Sequence, residues 1–582
     1  MSYAPPIRDL AFALYEAAGL DRLTPLVEGL DRPMVEAVLE AAGALAADVL
    51  EPLNRVGDLQ GSRLENGRVV APDGFKAAYR AFADGGWNGL TADPAWGGQG
   101  LPKALELAVF EMVNAANMAF ALCPTLSQAA IEALQAHGTD RQKALYLPRL
   151  ASGDWPGTMH LTEPQAGSDL GAIRTTGEKA PDGVWRLTGQ KIFITWGDHD
   201  LSENIVHLIL ARTQGAPEGV RGLSLFLAPA QLVRDDGSLA EANALRPASL
   251  EHKLGIHASP TCVMLYEGCQ AELIGEEGQG LALMFTMMNA ARLMVGVQGV
   301  GVAEAACQRA LAYARERRQG RSPWSAAQPA PIVDHPDVRR MLLVMRAKTE
   351  AARAICLSAG VAADLARLAP DAGEKAAARR RSELLTPIAK AWSTDVGVEV
   401  ASIGLQVHGG AGFIEETGAA QLYRDARITP IYEGTNGIQA IDLVGRKLAM
   451  DGGAAVQELI AEIEGLDAEL QAAEGLSGPA KCLREGVAAL REASDWLAER
   501  QGGADALTGA VPYQSLWGDV LGGFLLAKMA LAAGRRADPA YAAQRALLAR
   551  VFADQVLSAA PGRLAAITAG AADLEAAAGL FA

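Results

Sequence analysis

From Arg32 to about Trp155 the apolar positions recur every three or four residues, as in Met34, Val38, Leu39, Ala42, Leu45, Val49 and Leu50. That period predicts amphipathic helices, broken at Pro52, at Pro72-Asp73-Gly74 and across Pro94 to Gly100, where proline and glycine punctuate the chain. Near Gly157 the period changes. Val184 to Thr188, Lys191 to Thr195, Ile205 to Leu210 and Leu223 to Leu227 are short runs rich in β-forming residues, separated by turn signals, and they predict strands. Helical spacing returns after Gly280, over Val297 to Arg317, Val338 to Leu365 and Ser382 to Ile403, lengths that suit a helix bundle. A further helical stretch follows Asp451, marked by Leu459, Ile460, Ile463 and Leu466, then Val487, Leu490, Trp496 and Leu497. The expected fold is mainly α with a central β domain. It divides into an extension over 1–35, a helical domain over 36–157, a β domain over 158–277, a bundle over 278–450 and a last helical domain over 451–582.

Composition narrows the function. With 582 residues and half of them hydrophobic, the chain has room for several cores. A net charge of -16 argues against nucleic acid as partner, because phosphate neutralisation dominates that binding; a polyanionic substrate would need a local basic seat. The six cysteines are scattered with no metal or redox spacing, as buried thiols of a reducing compartment are. The first residues lack a basic segment followed by an apolar core, so the expectation is a cytoplasmic protein. Apolar runs such as Val520 to Lys528 are interrupted and fall short of the roughly 20 residues a membrane span needs, so no membrane role is expected. No metal site is expected.

One acid stands out. Glu433 closes the apolar run Ile431-Tyr432 and abuts the breakers Gly434-Thr435-Asn436-Gly437. Apolar neighbours favour the neutral acid, and a raised pKa suits a general base. Thr435 or Asn436 can cap a helix over Ile438 to Leu448, and the N-terminus of such a helix accepts an anion. Read alone, the string is more often a solvated helix-entry turn, since a Glu near a helix start is favoured by the dipole in any case. A second stretch, Met159 to Asp169, runs from a strand end into a Gly-Ser turn whose free amides, with the hydroxyls of Thr162 and Ser168, suit a polar ring edge or a phosphate; by itself it is also only a loop. No nicotinamide fingerprint is present, so flavin is the better candidate for a hydride acceptor.

Taken together, Gln406-x-x-Gly409-Gly410-x-Gly412, Arg424-Asp-Ala-Arg427, Ile431-Tyr-Glu-Gly-Thr435 and Thr162-Glu-Pro-x-Ala-Gly-Ser-Asp169 resemble, in order and spacing, the signatures of the acyl-CoA dehydrogenase family. The resemblance covers about residues 35–450 and implies a helical domain, a β-barrel and a four-helix bundle, here with an extra C-terminal domain. It implies FAD as cofactor and an acyl-CoA substrate. Glu433 would be the base, with its backbone N–H and a flavin ribityl hydroxyl polarising the thioester carbonyl. Met159, Leu161, Thr162, Gly167 and Ser168 would hold the flavin, Ser168 where it meets the CoA. Phe193 and Thr195 lie where the family has Trp-Ile-Thr; Phe193 is either an aromatic plane against the flavin or an inward strand residue. Arg317, Gln406, Gly409 and Gly410 would reach the FAD of a neighbouring subunit, although the Phe expected after Arg317 is absent. Thr435 would also serve the cofactor, while Gly437 replaces a common Gln. Asn289, Arg292 and Gly434 would touch substrate, with a structural salt bridge the competing reading of Arg292. Ala291, where some members carry the base, is no carboxylate.

Tyr3 to Asp9, Glu51-Pro-Leu-Asn-Arg55, Ile194 to Asp200 and the helical tail are similar to the bacterial 3-(methylthio)propanoyl-CoA dehydrogenase subgroup. This implies a homodimer acting on a short acyl-CoA, with electron-transfer flavoprotein as oxidant. A short or medium straight-chain acyl-CoA, an acyl-CoA oxidase and a non-enzymatic flavoprotein are the competing readings.

Overall fold

The computed structural model describes residues 3–581. Helices Arg32–Leu45, Glu51–Gln60, Phe75–Asp84, Lys103–His137 and Asp140–Ser152 form the first helical unit. Their starts follow the local chemistry: the Asp31 side chain accepts from Met34 N, and Thr139 with Gln142 makes a capping box, each satisfying amides a helix leaves free. A small hairpin, Arg63–Glu65 with Arg68–Val70, interrupts this unit. It turns over Asn66-Gly67, both left-handed at φ 51° and 80°, a hairpin signal that the helical reading passed over.

The β domain is a closed ring. Thr261–Ile274 pairs with Trp185–Thr195, which pairs with Thr176–Lys179, then Val206–Thr213, then Leu223–Pro229, and the last returns to Thr261–Ile274. Gly157–His160 adds in parallel to Val206–Thr213. Closure removes exposed strand edges. Two features were not legible. The runs either side of Gly189 form one strand, because a glycine at φ 148° lets the chain pass Thr175, whose Oγ1 would lie 2.6 Å from a Cβ there. The 14-residue strand Thr261–Ile274 hides its alternation behind a bulge at Gly268, φ 85°.

Gly280–Glu316, Pro336–Leu368 and Ala372–Val407 pack with one another and with Lys103–His137 as the bundle. Glycines permit the close approach: a Cβ on Gly299 would lie 2.4 Å from Ser393 O. Beyond it lie Ala454–Gly465, Ser477–Ala498, Ala504–Gly534 and Pro539–Gln555. Ala504–Gly534 sets Gly518 against Trp392, whose Cδ1 would be 2.0 Å from a Cβ on that glycine. The N-terminal extension is no loose arm. Its helix Ile7–Phe12 lies against the last domain, with Arg8 bonded to Asp538 at 2.5 Å, Tyr541 Oη donating to Asp9 at 2.9 Å and Phe12 edge-on to Tyr541.

One expectation is corrected. Lys103–His137, Gly280–Glu316 and Ala504–Gly534 are each long and apolar enough to cross a membrane by length and composition. Scattered glycines and polar residues made these runs look broken, yet helix continues through them apart from a kink at Asn117 (φ -159°, ψ 89°) within Lys103–His137. Their most apolar windows are 100, 67 and 78% buried against the rest of the chain, so this apolar surface is largely taken up by packing.

Candidate active site

Glu433 sits on a strained turn between helices Ala419–Ala426 and Asn436–Asp442. Its φ is 56° and that of Gly434 is 80°; a left-handed non-glycine residue is costly and persists where its surroundings enforce it. They do so here. Asn436 N donates to Pro430 O at 3.0 Å, Gln439 Nε2 to Gly434 O at 3.3 Å, and Thr435 Oγ1 accepts from Ile438 N at 3.2 Å as the cap. The capped helix ends at Asp442 and continues as a wider turn over Leu443–Lys447. Burial pushes the Glu433 carboxyl up to about 7, against the pull of Arg292 and Lys390.

Arg292 lies on Gly280–Glu316, 6% exposed, with its guanidinium beside Gly434: Nη2 would be 3.6 Å from a Cβ there. It bonds Asn289 Oδ1 at 3.1 Å, its Nε has no partner, and among the described residues no carboxylate forms an ion pair with it. The salt-bridge reading of Arg292 therefore does not apply. Asn289 and Arg292 line a cavity of about 710 Å³ between the first helical unit and the bundle. Six cations border it (Lys103, Arg292, Arg367, Arg379, Arg446, Lys447) against four carboxylates (Glu132, Asp364, Glu383, Asp442). On a protein of charge -16 this is a local basic seat.

The barrel gathers the second group. Ile192 N donates to Thr162 O at 2.9 Å, laying the Thr162–Ser168 loop beside Phe193 to Thr195. Glu163 pins that loop: its carboxylate accepts from Arg174 N at 2.7 Å, Thr175 N at 3.0 Å and the buried Lys191 Nζ at 2.8 Å, while Lys191 also reaches Leu161 O at 2.9 Å. Burial opposes ionisation of Glu163, but Lys191 and the amides hold it down to about 2. Phe193 does not point inward. It is 58% exposed at φ 59°, between buried Lys191 and Ile194. Met159, Thr162 and Thr195 are half-buried, Leu161 is buried, and Gly167 and Ser168 are exposed, with nothing within 4 Å of a Cβ built on Gly167. An aromatic face left open beside amides and hydroxyls fits a flavin ring.

Arg317, Gln406, Gly409 and Gly410 are not brought to Glu433. Arg317 ends Gly280–Glu316, 25 residues past Arg292, about 37 Å along the helix. There Tyr313 stacks on His408 at 4.4 Å, which places Arg317 near the exposed Gln406, Gly409 and Gly410, with Phe413 83% exposed beside them. Within one chain these residues form a separate surface.

Two residues went unnoticed in the sequence. Lys390 is fully buried on Ala372–Val407, in the run Pro387-Ile-Ala-Lys-Ala-Trp392; a lone lysine among apolar neighbours was the signal available. Glu163 stood in plain view inside a flavin motif, but its clamp depends on Lys191, 28 residues away.

Family models match nearly the whole chain: acyl-CoA dehydrogenase N-terminal domain over 35–154, middle domain over 158–269 and C-terminal domain over 278–448, and acetyl-CoA dehydrogenase C-terminal like over 454–578. The 3-methylmercaptopropionyl-CoA dehydrogenase of Ruegeria pomeroyi is 47% identical over 96% of both chains. Among solved structures, Caenorhabditis elegans ACDH-11 in complex with C11-CoA superposes with a TM-score of 0.79 at 21% identity, covering 96% of this chain and 92% of that one. The acyl-CoA dehydrogenase from Bacillus anthracis complexed with FAD gives 0.74 at 21%, covering 93% and 88%. With its signatures assembled on a barrel and bundle, and with a relative this similar along its whole length, the chain belongs to the acyl-CoA dehydrogenase family.

Proposed function

We propose that the protein converts 3-(methylthio)propanoyl-CoA, or a short acyl-CoA like it, to the trans-2-enoyl-CoA. The enzyme class is that of the family, an FAD-dependent acyl-CoA dehydrogenase; the methylthio substrate rests on the similarity to the Ruegeria pomeroyi enzyme. The observation that carries the mechanism is Glu433, whose carboxyl is pushed up to about 7 by burial and faces Arg292, a residue that lines the basic cavity. A base is most effective when its pKa lies near the working pH.

Glu433 takes the α-proton, and its backbone N–H polarises the thioester carbonyl. Arg292 and Asn289 orient the acyl group, and the CoA phosphates sit toward Arg379, Arg446 and Lys447, where a polyanion finds cations. Leu161, Thr162 and Ser168 would hold the FAD edge, with Phe193 against its ring. When bound, FAD supplies the acceptor for the β-hydride. The exposed surface of Arg317, Gln406, Gly409 and Gly410 would complete the FAD site of a second copy, so the active form is a homodimer. Electron-transfer flavoprotein is the proposed oxidant and the cytoplasm the proposed location.

The test is Glu433→Gln, isolated with its flavin. On adding 3-(methylthio)propanoyl-CoA, flavin bleaching should slow by about 10² to 10⁴, the usual contribution of a general base. Rapid bleaching in the variant would refute the assignment. A straight-chain acyl-CoA with the higher kcat/KM in a substrate panel would displace the methylthio thioester.

A further inference from the structure

Beneath the base turn lies a polar cluster that the mechanism above does not use. Lys390 is fully buried, and its Nζ donates to Asn436 Oδ1 at 3.0 Å; among the described residues it has no carboxylate within ion-pair distance. Asn436 is bonded on every side. Its Nδ2 donates to Ala391 O at 3.0 Å, to Thr394 Oγ1 at 3.1 Å and to Asp395 Oδ1 at 2.8 Å, and its Oδ1 also accepts from Thr394 Oγ1 at 3.3 Å. It stands three residues after Glu433, so these bonds fasten the strained turn to Ala372–Val407. A buried ammonium without a carboxylate partner is expensive and is retained where its charge is used.

The groups facing this ammonium are few. Glu433 comes from the base turn, Asp395 from the lysine's own helix and Arg292 from Gly280–Glu316. Among the described residues, the charges that face Glu433 are those of Arg292 and Lys390, and the neutral Tyr432 phenol lies beside it. Asp519, from the C-terminal helix packed on the same element, is engaged by Trp392 Nε1 and Arg563.

We propose that Lys390 is a positioning residue for the base: through Asn436 it fixes the turn that carries Glu433, and its charge holds that carboxyl in the ionised, proton-accepting form. The proposal rests on the reading of Glu433 as the base. Burial brings Lys390 down to about 7, so the two groups titrate as a coupled pair. On the acid side, where Glu433 gains its proton, the ammonium is charged and opposes that gain.

The experiment compares Lys390→Gln and Lys390→Met holoenzymes with wild type, measuring kcat/KM for 3-(methylthio)propanoyl-CoA from pH 5 to 9, with butanoyl-CoA as second probe. Gln keeps a donor for Asn436 without the charge; Met removes both. In both variants the acid limb should move up by about one pH unit, as loss of a nearby opposite charge requires, leaving about tenfold less activity below it. Met should also lower kcat at the pH optimum. A limb that stays in place in folded, flavin-loaded Gln variant, whatever its rate, would overturn the electrostatic role. If Met misfolds, Gln alone decides. Glu433→Gln run in parallel separates the two readings: if it still bleaches, the base assignment fails; if it is inert while the Lys390 profile is unmoved, only the present proposal fails.

Discussion

Glu163 shows how much one buried carboxylate can hold. It accepts two amides and the Lys191 ammonium at once, and Lys191 is wholly buried. Glu163→Gln keeps the shape but leaves that ammonium without its counter-charge, a change that costs about 3 to 5 kcal/mol in a buried pair. The variant should lose flavin during purification and melt at lower temperature, measured by flavin-to-protein ratio and calorimetry. Individual residues differ in how far they can be read from the sequence. Glu433 was readable because it stands within a set of family signatures; its local signal, an acid between an apolar run and a breaker cluster, is on its own more often a solvated helix entry. Lys390 and the Glu163 partnership were not, because burial and pairing across 28 or 46 residues are set by folding and leave no mark in spacing.

Among the elements, the barrel carries a chemical signature of its own. Thr158 Oγ1 lies 2.8 Å from His160 Nε2 and 2.6 Å from His207 Nδ1, and His160 Nδ1 meets Tyr266 Oη, all inside the sheet that holds the flavin loop. Burial drives His207 and His199 down to about 3 and His160 well below its ordinary value. The unfolded chain therefore binds these protons first, near pH 6.5. Stability is full above that pH and is lost as the pH falls below it, by about 1.4 kcal/mol per histidine for each unit. Melting temperature should fall steeply from pH 6.5 to 4.5, and His207→Gln should flatten that slope; a flat wild-type profile would contradict it. The long helices and the strands Trp185–Thr195, Val206–Thr213 and Leu223–Pro229 were legible here from periodicity. The long strand Thr261–Ile274 was not, because its register shifts twice, between Cys262 and Met264 and again at Gly268, and this breaks the alternation that marks a strand.

Across the whole molecule, the parts are joined by charges no spacing foretold. Arg353, fully buried, bonds Glu111 of the first helical unit at 2.5 Å and Glu304 of the bundle at 2.8 Å, and its Nη1 pairs in charge with Glu350 at 3.0 Å. Arg545 of the last domain reaches Glu350 at 3.2 Å and Asp9 of the extension at 3.3 Å. Arg545→Met removes one side of a buried network and should destabilise the protein by about 3 to 5 kcal/mol. The urea midpoint would fall accordingly, with Glu350→Gln added on top costing less than its single effect because the two share one interaction. The domain order was legible from changes of period; the interlock was not, since its members lie up to 536 positions apart.

That interlock has a consequence for biosynthesis. The stretch around Asp9 and Phe12 packs on Arg32–Leu45, but its partners Asp538, Tyr541 and Arg545 come near the far end of the chain. At about 5 to 20 residues per second, the ribosome leaves this opening segment waiting roughly 30 to 100 s for the surface it will cover. During that interval its greasy face needs shelter from chaperones or from transient contacts, and a bulky domain fused to the N-terminus would crowd the protein at its last closing seam.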